Sequence, residues 1–172
     1  ITVDSIQLMS IGFLIDQEKP MIWRGPILSN TLQQLIKQTA WDDIDYLLLD
    51  LPPGTGDTQL TMSQKIPTVG AVVVTTPHPM AEHDTMKSIK MFEKLTIPLL
   101  GVVENMVYYE CSHCGKKENM LGKQASQHRD LVIGRFPISK HFAEGVYGKH
   151  KKTDDFKLFD DAVVAMLKAL SK

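Results

Sequence analysis

Four short apolar runs constrain this chain more than any other feature of its sequence. They are "DYLLLD" (45–50), "GAVVVTTP" (70–77), "PLLGVVEN" (98–105) and "LVIGRFP" (131–137). Each is nearly continuous in apolar character rather than alternating, as expected of strands covered on both faces. Amphipathic stretches lie between and around them. "PILSNTLQQLIKQTAW" (26–41) puts Leu28, Leu32, Leu35 and Ile36 at helical spacing, with Ser29 or Asn30 as the expected N-cap. "MAEHDTMKSIKMFEKLT" (80–96) places Met86, Ile89, Phe92 and Leu95 on one stripe. "DDFKLFDDAVVAMLKALS" (154–171) does the same with Phe156, Phe159, Val163, Met166, Leu167 and Leu170. "TQLTMSQKI" (58–66) reads as a short helix, and "IQLMSIGFLI" (6–15) as one or two short strands. Apolar strands alternating with helices predict an α/β fold: a mostly parallel, doubly wound sheet with helices on both faces. In such sheets ligands bind at the carboxyl ends of the strands. The four runs end at Asp50, Thr75-Thr76-Pro77, Glu104-Asn105 and Phe136-Pro137, so these residues are expected on one edge.

Composition narrows the class. The 172 residues are 43% hydrophobic with a mean hydropathy of −0.10, within the range of globular chains. The net charge of −1 gives no electrostatic reason to expect a nucleic-acid partner. No apolar run approaches the roughly 20 residues of a membrane span. Residues 1–20 lack the basic start and small-residue cleavage site of a signal peptide, and the first residue is Ile rather than Met. The two cysteines, Cys111 and Cys114, are too few and too close for a secreted disulfide scaffold. A metal or redox role in a reducing, cytoplasmic setting fits them better.

Two stretches carry chemistry. In "LLLDLPPGTGDT" (47–58) a strand-end carboxylate, Asp50, is placed to hold Mg²⁺ directly or through water beside phosphates. Gly54 has no Cβ to keep its N–H from a phosphate. Pro52 and Pro53 stiffen the approach, and Asp57 or Thr58 suits the cap of the next helix. An ordinary strand-to-helix turn is the competing reading. "YECSHCGKKE" (109–118) has the C-x-x-C-G shape of a metal knuckle, in which backbone N–H groups point at the thiolates and Gly115 permits the tight turn. An S₄ site needs four thiolates and this chain has two. Three readings stand: a cluster shared by two chains on a two-fold axis, a zinc site completed by His113 and another histidine, or a thioredoxin-like redox pair. Lys116 and Lys117 are expected to lower the thiolate pKa modestly. His78, His83, His128, His141 and His150 are scattered and read as surface residues. Arg24, beside Gly25-Pro26, reads as an anion or partner contact or as a plain salt bridge.

The segments "MSIGFLI", "PMIWRGP", "LQQL", "DYLLLDLPPGTGDTQLT", "GAVVVTTP", "PLLGVVENM" and "CSHCG" occur here in an order that resembles the Mrp/ApbC proteins, from about residue 6 to residue 145. These are P-loop ATPases of the deviant-Walker type, related to MinD, that carry iron–sulfur clusters. The resemblance implies a single incomplete domain over 1–172, with a cysteine loop for a metal or cluster at 105–120. It also implies a P-loop strand that these residues do not contain, since no G-x-x-x-x-G-K-[ST] occurs among them. On this basis the 172 residues alone are expected to be catalytically inactive, and the P-loop to precede them in an ATPase that uses ATP and Mg²⁺. Residue by residue, the resemblance makes Asp50 the Walker B carboxylate and Gly54 the switch II glycine. It makes Asn105 the reader of the adenine edge, which the donor and acceptor of its amide suit, and puts Pro137 in the segment flanking the base. Cys111 and Cys114 become ligands of a [4Fe–4S] cluster bridging a homodimer, to be delivered to apo iron–sulfur proteins. A zinc-stabilised, MinD-like regulatory or interaction domain is the alternative.

Overall fold

The computed structural model describes residues 1–3, 5–14, 25–51, 64–121, 128–139 and 154–171, with backbone alone for 25–29 and 154–156. Arg24, Gly54 and all but the end of the 58–66 stretch lie outside the described residues. The chain forms two compact units, Ile1–Pro67 and Thr68–Lys172.

In the first unit, strands β1 (Thr2–Val3) and β2 (Ile6–Gln7) pair antiparallel. Instead of a second strand from the 6–15 run, Ile11–Phe13 form a 3-10 turn, because the Ser10 hydroxyl accepts from the Gly12 N–H at 3.1 Å. Helix α1 spans Gly25–Gln38. It starts earlier than expected, so Ser29 and Asn30 lie inside it rather than at its N-cap. Pro26 falls in the first turn, where no backbone N–H is needed. At the other end Thr39 Oγ1 donates to the Leu35 carbonyl, and Trp41 Nε1 donates to that of Ile36 at 3.0 Å. These bonds serve two carbonyls that have no partner within the helix.

The expected buried strand at 45–50 does not form. The backbone there is irregular, and Leu48 is 82% exposed. A strand is held by the hydrogen bonds of its neighbours, and among the described residues nothing pairs with 45–50.

The second unit matches the expected architecture closely. Strands β3 (Ala71–Thr75) and β4 (Leu99–Glu104) are followed by a small hairpin, β5 (Tyr109–Glu110) and β6 (Lys117–Glu118), and by β7 (Val132–Arg135). The main sheet is parallel with order β3-β4-β7. Helix α2 (Pro79–Lys94) covers one face: its Ile89, Met91 and Phe92 pack with Val73, Ile97 and Val102. Burying a side chain such as Phe92 is worth about 1.5–3 kcal/mol. Helix α3 (Asp154–Leu170) covers the other face, with the Phe159 ring centroid 4.3 Å from that of Phe136. Between α3 and the sheet runs an apolar cleft of about 290 Å³, in which Asn105 is the polar member of a lining that includes Val74, Val103, Ile133 and Met166. No helix among the described residues is long and apolar enough to cross a membrane.

Local chemistry sets the ends of α2. His78 Nδ1 accepts from the Met80 N–H at 3.3 Å, and Pro79 occupies the first turn. The helix stops where Thr96 turns left-handed at φ 55, with the Ile97 N–H donating to the Phe92 carbonyl and the Thr96 N–H to that of Glu93. Strand β4 is central and is buried along most of its length, as its sequence predicts. Strand β3 departs from double burial: among the described residues it is paired only with β4, and Val74, which lines the cleft under α3, is 66% exposed.

Gly101, in β4, is required by close approach. A Cβ there would strike the Ile133 side chain, including Cγ1 at 2.8 Å. Gly101→Ala is therefore expected to destabilise the unit by about 1–3 kcal/mol, as overpacking does in well-filled cores. Chemical denaturation would show this as a lowered midpoint at unchanged slope; an unchanged midpoint would contradict it.

Candidate functional site

The main sheet brings Thr75, Glu104 and Arg135 level on one edge, as the positions of the polar residues in the sequence require. Asn105 follows directly, and its N–H donates to the Thr75 carbonyl at 2.7 Å. Its side-chain Oδ1 accepts from the Met106 N–H at 2.9 Å and so holds Met106 in a left-handed conformation, φ 58. That conformation is costly for a residue with a side chain and is found mainly where surroundings impose it. Oδ1 has two lone pairs, so Asn105 can still accept from a ligand while its amide donates.

Beyond Asn105 the parallel pairing continues in looser form. The Phe136 N–H donates to the Glu104 carbonyl, the Val107 N–H to that of Phe136, and the Ile138 N–H to that of Tyr108. Pro137 stands between two donors of this ladder, at a position whose missing N–H the ladder does not use. Asn105 and Pro137 are thus joined through neighbouring backbone, and Pro137 is buried. Asp50 belongs to the first unit and is exposed.

The same ladder delivers the chain to the cysteines. Tyr109 bridges to Ile138, and β5 pairs with β6 through Tyr109–Glu118 and Glu110–Lys117. The turn closes by hydrogen bonds from the Gly115 N–H to the Cys111 carbonyl, 2.8 Å, and from the Cys111 N–H to the Lys116 carbonyl, 3.0 Å. Gly115 adopts φ 68 with open space around it, so its need is conformational alone. Backbone N–H groups of His113 and then Cys114 reach the Cys111 sulfur and lower its pKa, with a smaller contribution from the Cys114 thiol. The lysines act differently from the expectation. Lys117 lies 4.8 Å from the centroid of the Tyr108 ring and 3.4 Å from Glu110 Oε2, and the charge interaction with Tyr108, then the hydrogen bond and charge of Glu110, raise its own pKa. It braces the hairpin; the backbone lowers the thiol.

A lowered thiol pKa keeps the thiolate present further into acid than in a free cysteine, whose value is about 8.5. Alkylation of Cys111 by iodoacetamide, which consumes the thiolate, is therefore expected to have a lower pH midpoint in folded protein than in urea. Peptide mapping of each alkylated sample reads both midpoints, and coincident midpoints would contradict the backbone effect.

One group of residues escaped the sequence reading. Glu104 is 2% exposed, and its Oε2 accepts from Arg135 Nε at 2.8 Å. His128 is not a surface residue, as its scatter suggested, but 4% exposed, with Nε2 3.4 Å from Glu104 Oε1. That separation is within ion-pair reach, yet its geometry makes no hydrogen bond, and neither ring nitrogen has one among the described residues. The available signal was a pair of opposite charges, Glu104 and Arg135, each closing an apolar strand.

The second unit is thus an α/β domain with a parallel sheet flanked by helices, Asn105 at the carboxyl edge of that sheet, and Cys111 and Cys114 in the turn of an adjoining hairpin. Residues 1–154 match the family model described as ParA, the NUBPL iron-transfer P-loop NTPases, and the chain belongs to that family. It is similar to an iron–sulfur cluster carrier protein of Pseudomonas fragi, 47% identical over 149 residues, which are 84% of this chain and 52% of that protein. It is also similar to the iron–sulfur cluster transfer protein NUBPL of Dictyostelium discoideum, 45% identical over 129 residues, 75% of this chain and 40% of that one. Among solved structures, a nucleotide-binding protein of Archaeoglobus fulgidus in complex with ADP, with cobalt found in it, superposes with a TM-score of 0.61. The two are 29% identical, over 93% of this chain and 57% of the other. The chain thus spans about half the length of the relatives it matches, or less.

Proposed function

We propose that this chain is part of an ATP-dependent iron–sulfur cluster carrier, and that Cys111 and Cys114 hold a [4Fe–4S] cargo jointly with the same pair of a second copy. The observation that carries this reading is the tight C-x-x-C-G turn, closed by the Gly115 N–H on the Cys111 carbonyl and the Cys111 N–H on the Lys116 carbonyl with Gly115 at φ 68, whose backbone donors also lower the Cys111 pKa. Thiolate ligands need such donors, because N–H···S bonds offset the negative charge that a cluster brings. The 172 residues hold two thiols, and among the described residues no third histidine, cysteine, aspartate or glutamate converges on them. A second copy completes an S₄ set without any other ligand. Apo iron–sulfur proteins in the cytoplasm would then receive the cluster.

The nucleotide part of the reading rests on Asn105. It is the polar residue of an otherwise apolar cleft, and its amide retains both a donor and an acceptor for the edge of a purine. Pro137, on the neighbouring strand extension, would flank the base. Asp50 would hold Mg²⁺, and Gly54 would offer its N–H to a phosphate. When bound, ATP would supply the free energy of its hydrolysis and Mg²⁺ would neutralise phosphate charge. This chain's residues bind and orient the base, and the Asn105–Cys111 segment carries any displacement there towards the thiolates.

Anaerobic reconstitution with iron and sulfide tests the cargo. Brown protein with visible iron–sulfur absorbance, and about four irons per two chains from the ligand count, is the expected result. Colourless protein that retains stoichiometric zinc would replace the carrier by a zinc-stabilised interaction domain.

A further inference from the structure

The chain leaves the main sheet at Glu104, runs through the cysteine arm and re-enters the sheet from His128. The two residues at this exit and entry face each other inside the protein, with Oε1 and Nε2 3.4 Å apart and both side chains 3% exposed. The outgoing half of the excursion is fastened by backbone, through Asn105 to Thr75, Val107 to Phe136 and Ile138 to Tyr108. His128 is the first described residue of the returning half. It precedes the 3-10 turn Arg129–Leu131 and makes no capping bond there through its side chain. The imidazole therefore has no local task. Burying it with both nitrogens lacking hydrogen bonds among the described residues is unfavourable unless its placement serves something else.

We propose that Glu104, Arg135 and His128 form a buried clasp at the root of the cysteine arm, in which His128 is a positioning residue for the metal site at Cys111 and Cys114. The inference rests on the reading of that pair as a metal-binding site. Arg135, on β7, fixes the Glu104 carboxylate through Oε2 and leaves Oε1 towards His128. The carboxylate thereby joins the ends of two adjacent strands to the returning chain. An arm tied at both roots holds its two sulfurs in a narrower range of separations than one tied at a single root. Pre-organisation of that kind raises affinity by reducing the freedom lost on binding. Replacing the imidazole by an apolar side chain removes the tie without removing a ligand.

The test uses the whole chain and Co²⁺ alone as the probe, because thiolate coordination gives cobalt a charge-transfer absorbance that reports on the cysteines. His128→Leu is expected to keep the band and to weaken Co²⁺ binding roughly 10-fold, the lower end of losses from outer-shell changes at metal sites. His128→Gln, which keeps an acceptor and a donor, should restore affinity towards that of the unaltered protein, and Glu104→Gln should weaken it. Cys111→Ser should remove the thiolate band as the control. Amide exchange at Val107, Tyr109 and Cys111 gives a second readout that needs no metal: faster in His128→Leu, with exchange at Val102 unchanged. Failure of the unaltered protein to bind Co²⁺ would reject the metal reading of the cysteines, and slow exchange in the variants would still judge the clasp. Unchanged affinity and unchanged arm exchange in His128→Leu would overturn the clasp. So would equal acceleration at Val102 and in the arm, which marks a general loss of stability, when it is also seen in His128→Gln.

Discussion

Cys111→Ala and Cys114→Ala are each expected to abolish iron binding completely, together with any dimer that depends on the cluster, while the fold remains intact. The size of the effect follows from the ligand count. If two chains supply two thiolates each, removing one residue from the sequence removes two ligands from the shared site, and an S₂ remnant cannot retain a cubane. The indifference of the fold follows from position. Cys114 is exposed and Cys111 half-buried on the short β5–β6 hairpin, away from the Val73, Ile89, Phe92 and Val102 core. Substitutions of that kind change stability by about 0.5 kcal/mol or less. Iron per chain, visible absorbance and molecular mass by light scattering, measured on the same reconstituted samples, check the three parts together. A full cluster in either single variant, or in a strictly monomeric species, would rule out the bridged arrangement and favour a mononuclear metal site that includes a histidine.

The fold was legible where a segment's own residues decide its structure. The stripe Met86, Ile89, Phe92 and Leu95 located α2, and the run "LLGVVE" located the central strand, because burial on both faces is written into each. The Ser29 and Asn30 cap was misjudged because Gly25-Pro26 offers an earlier start that needs fewer backbone donors. Segment 45–50 has the composition of a buried strand, but composition cannot supply the neighbouring backbone that makes one. The site followed the same division. C-x-x-C-G announced a tight turn, and the positive φ of Gly115 agrees with it. The backbone N–H groups that lower the Cys111 pKa were legible from the C-x-x-C-G shape, whereas the part expected of Lys116 and Lys117 was misjudged, because adjacency in sequence does not say which way a lysine side chain turns. His128 was missed for a related reason: the Glu104 carboxylate it faces lies on β4, and the Arg135 that holds that carboxylate lies on β7.

The unpartnered strands lead to the second large expectation, that the 172-residue chain on its own forms concentration-dependent oligomers and unfolds at low temperature. Among the described residues β3 is paired only with β4, so one flank of Ala71–Thr75 presents its backbone donors and acceptors unpaired. Open edges of this kind recruit further strands. The side chains at hand favour it, since Val69 is 75% and Val74 66% exposed, and the segment 45–50 holds an apolar run with Leu48 82% exposed. Strand addition between copies would satisfy backbone groups and cover apolar surface in one step, which is how swapped dimers and larger assemblies arise. A charge on the edge opposes it, because a new strand would have to desolvate that charge. Val74→Lys and Leu48→Lys are therefore expected to shift the distribution towards monomer, and their combination to do so more than either alone. Sedimentation velocity over a range of concentrations, with cluster absent so that the cysteine arms do not contribute, reads the distribution directly. A monodisperse monomer at every concentration, with a sharp thermal transition at high temperature, would contradict association through the β3 edge and the 45–50 run.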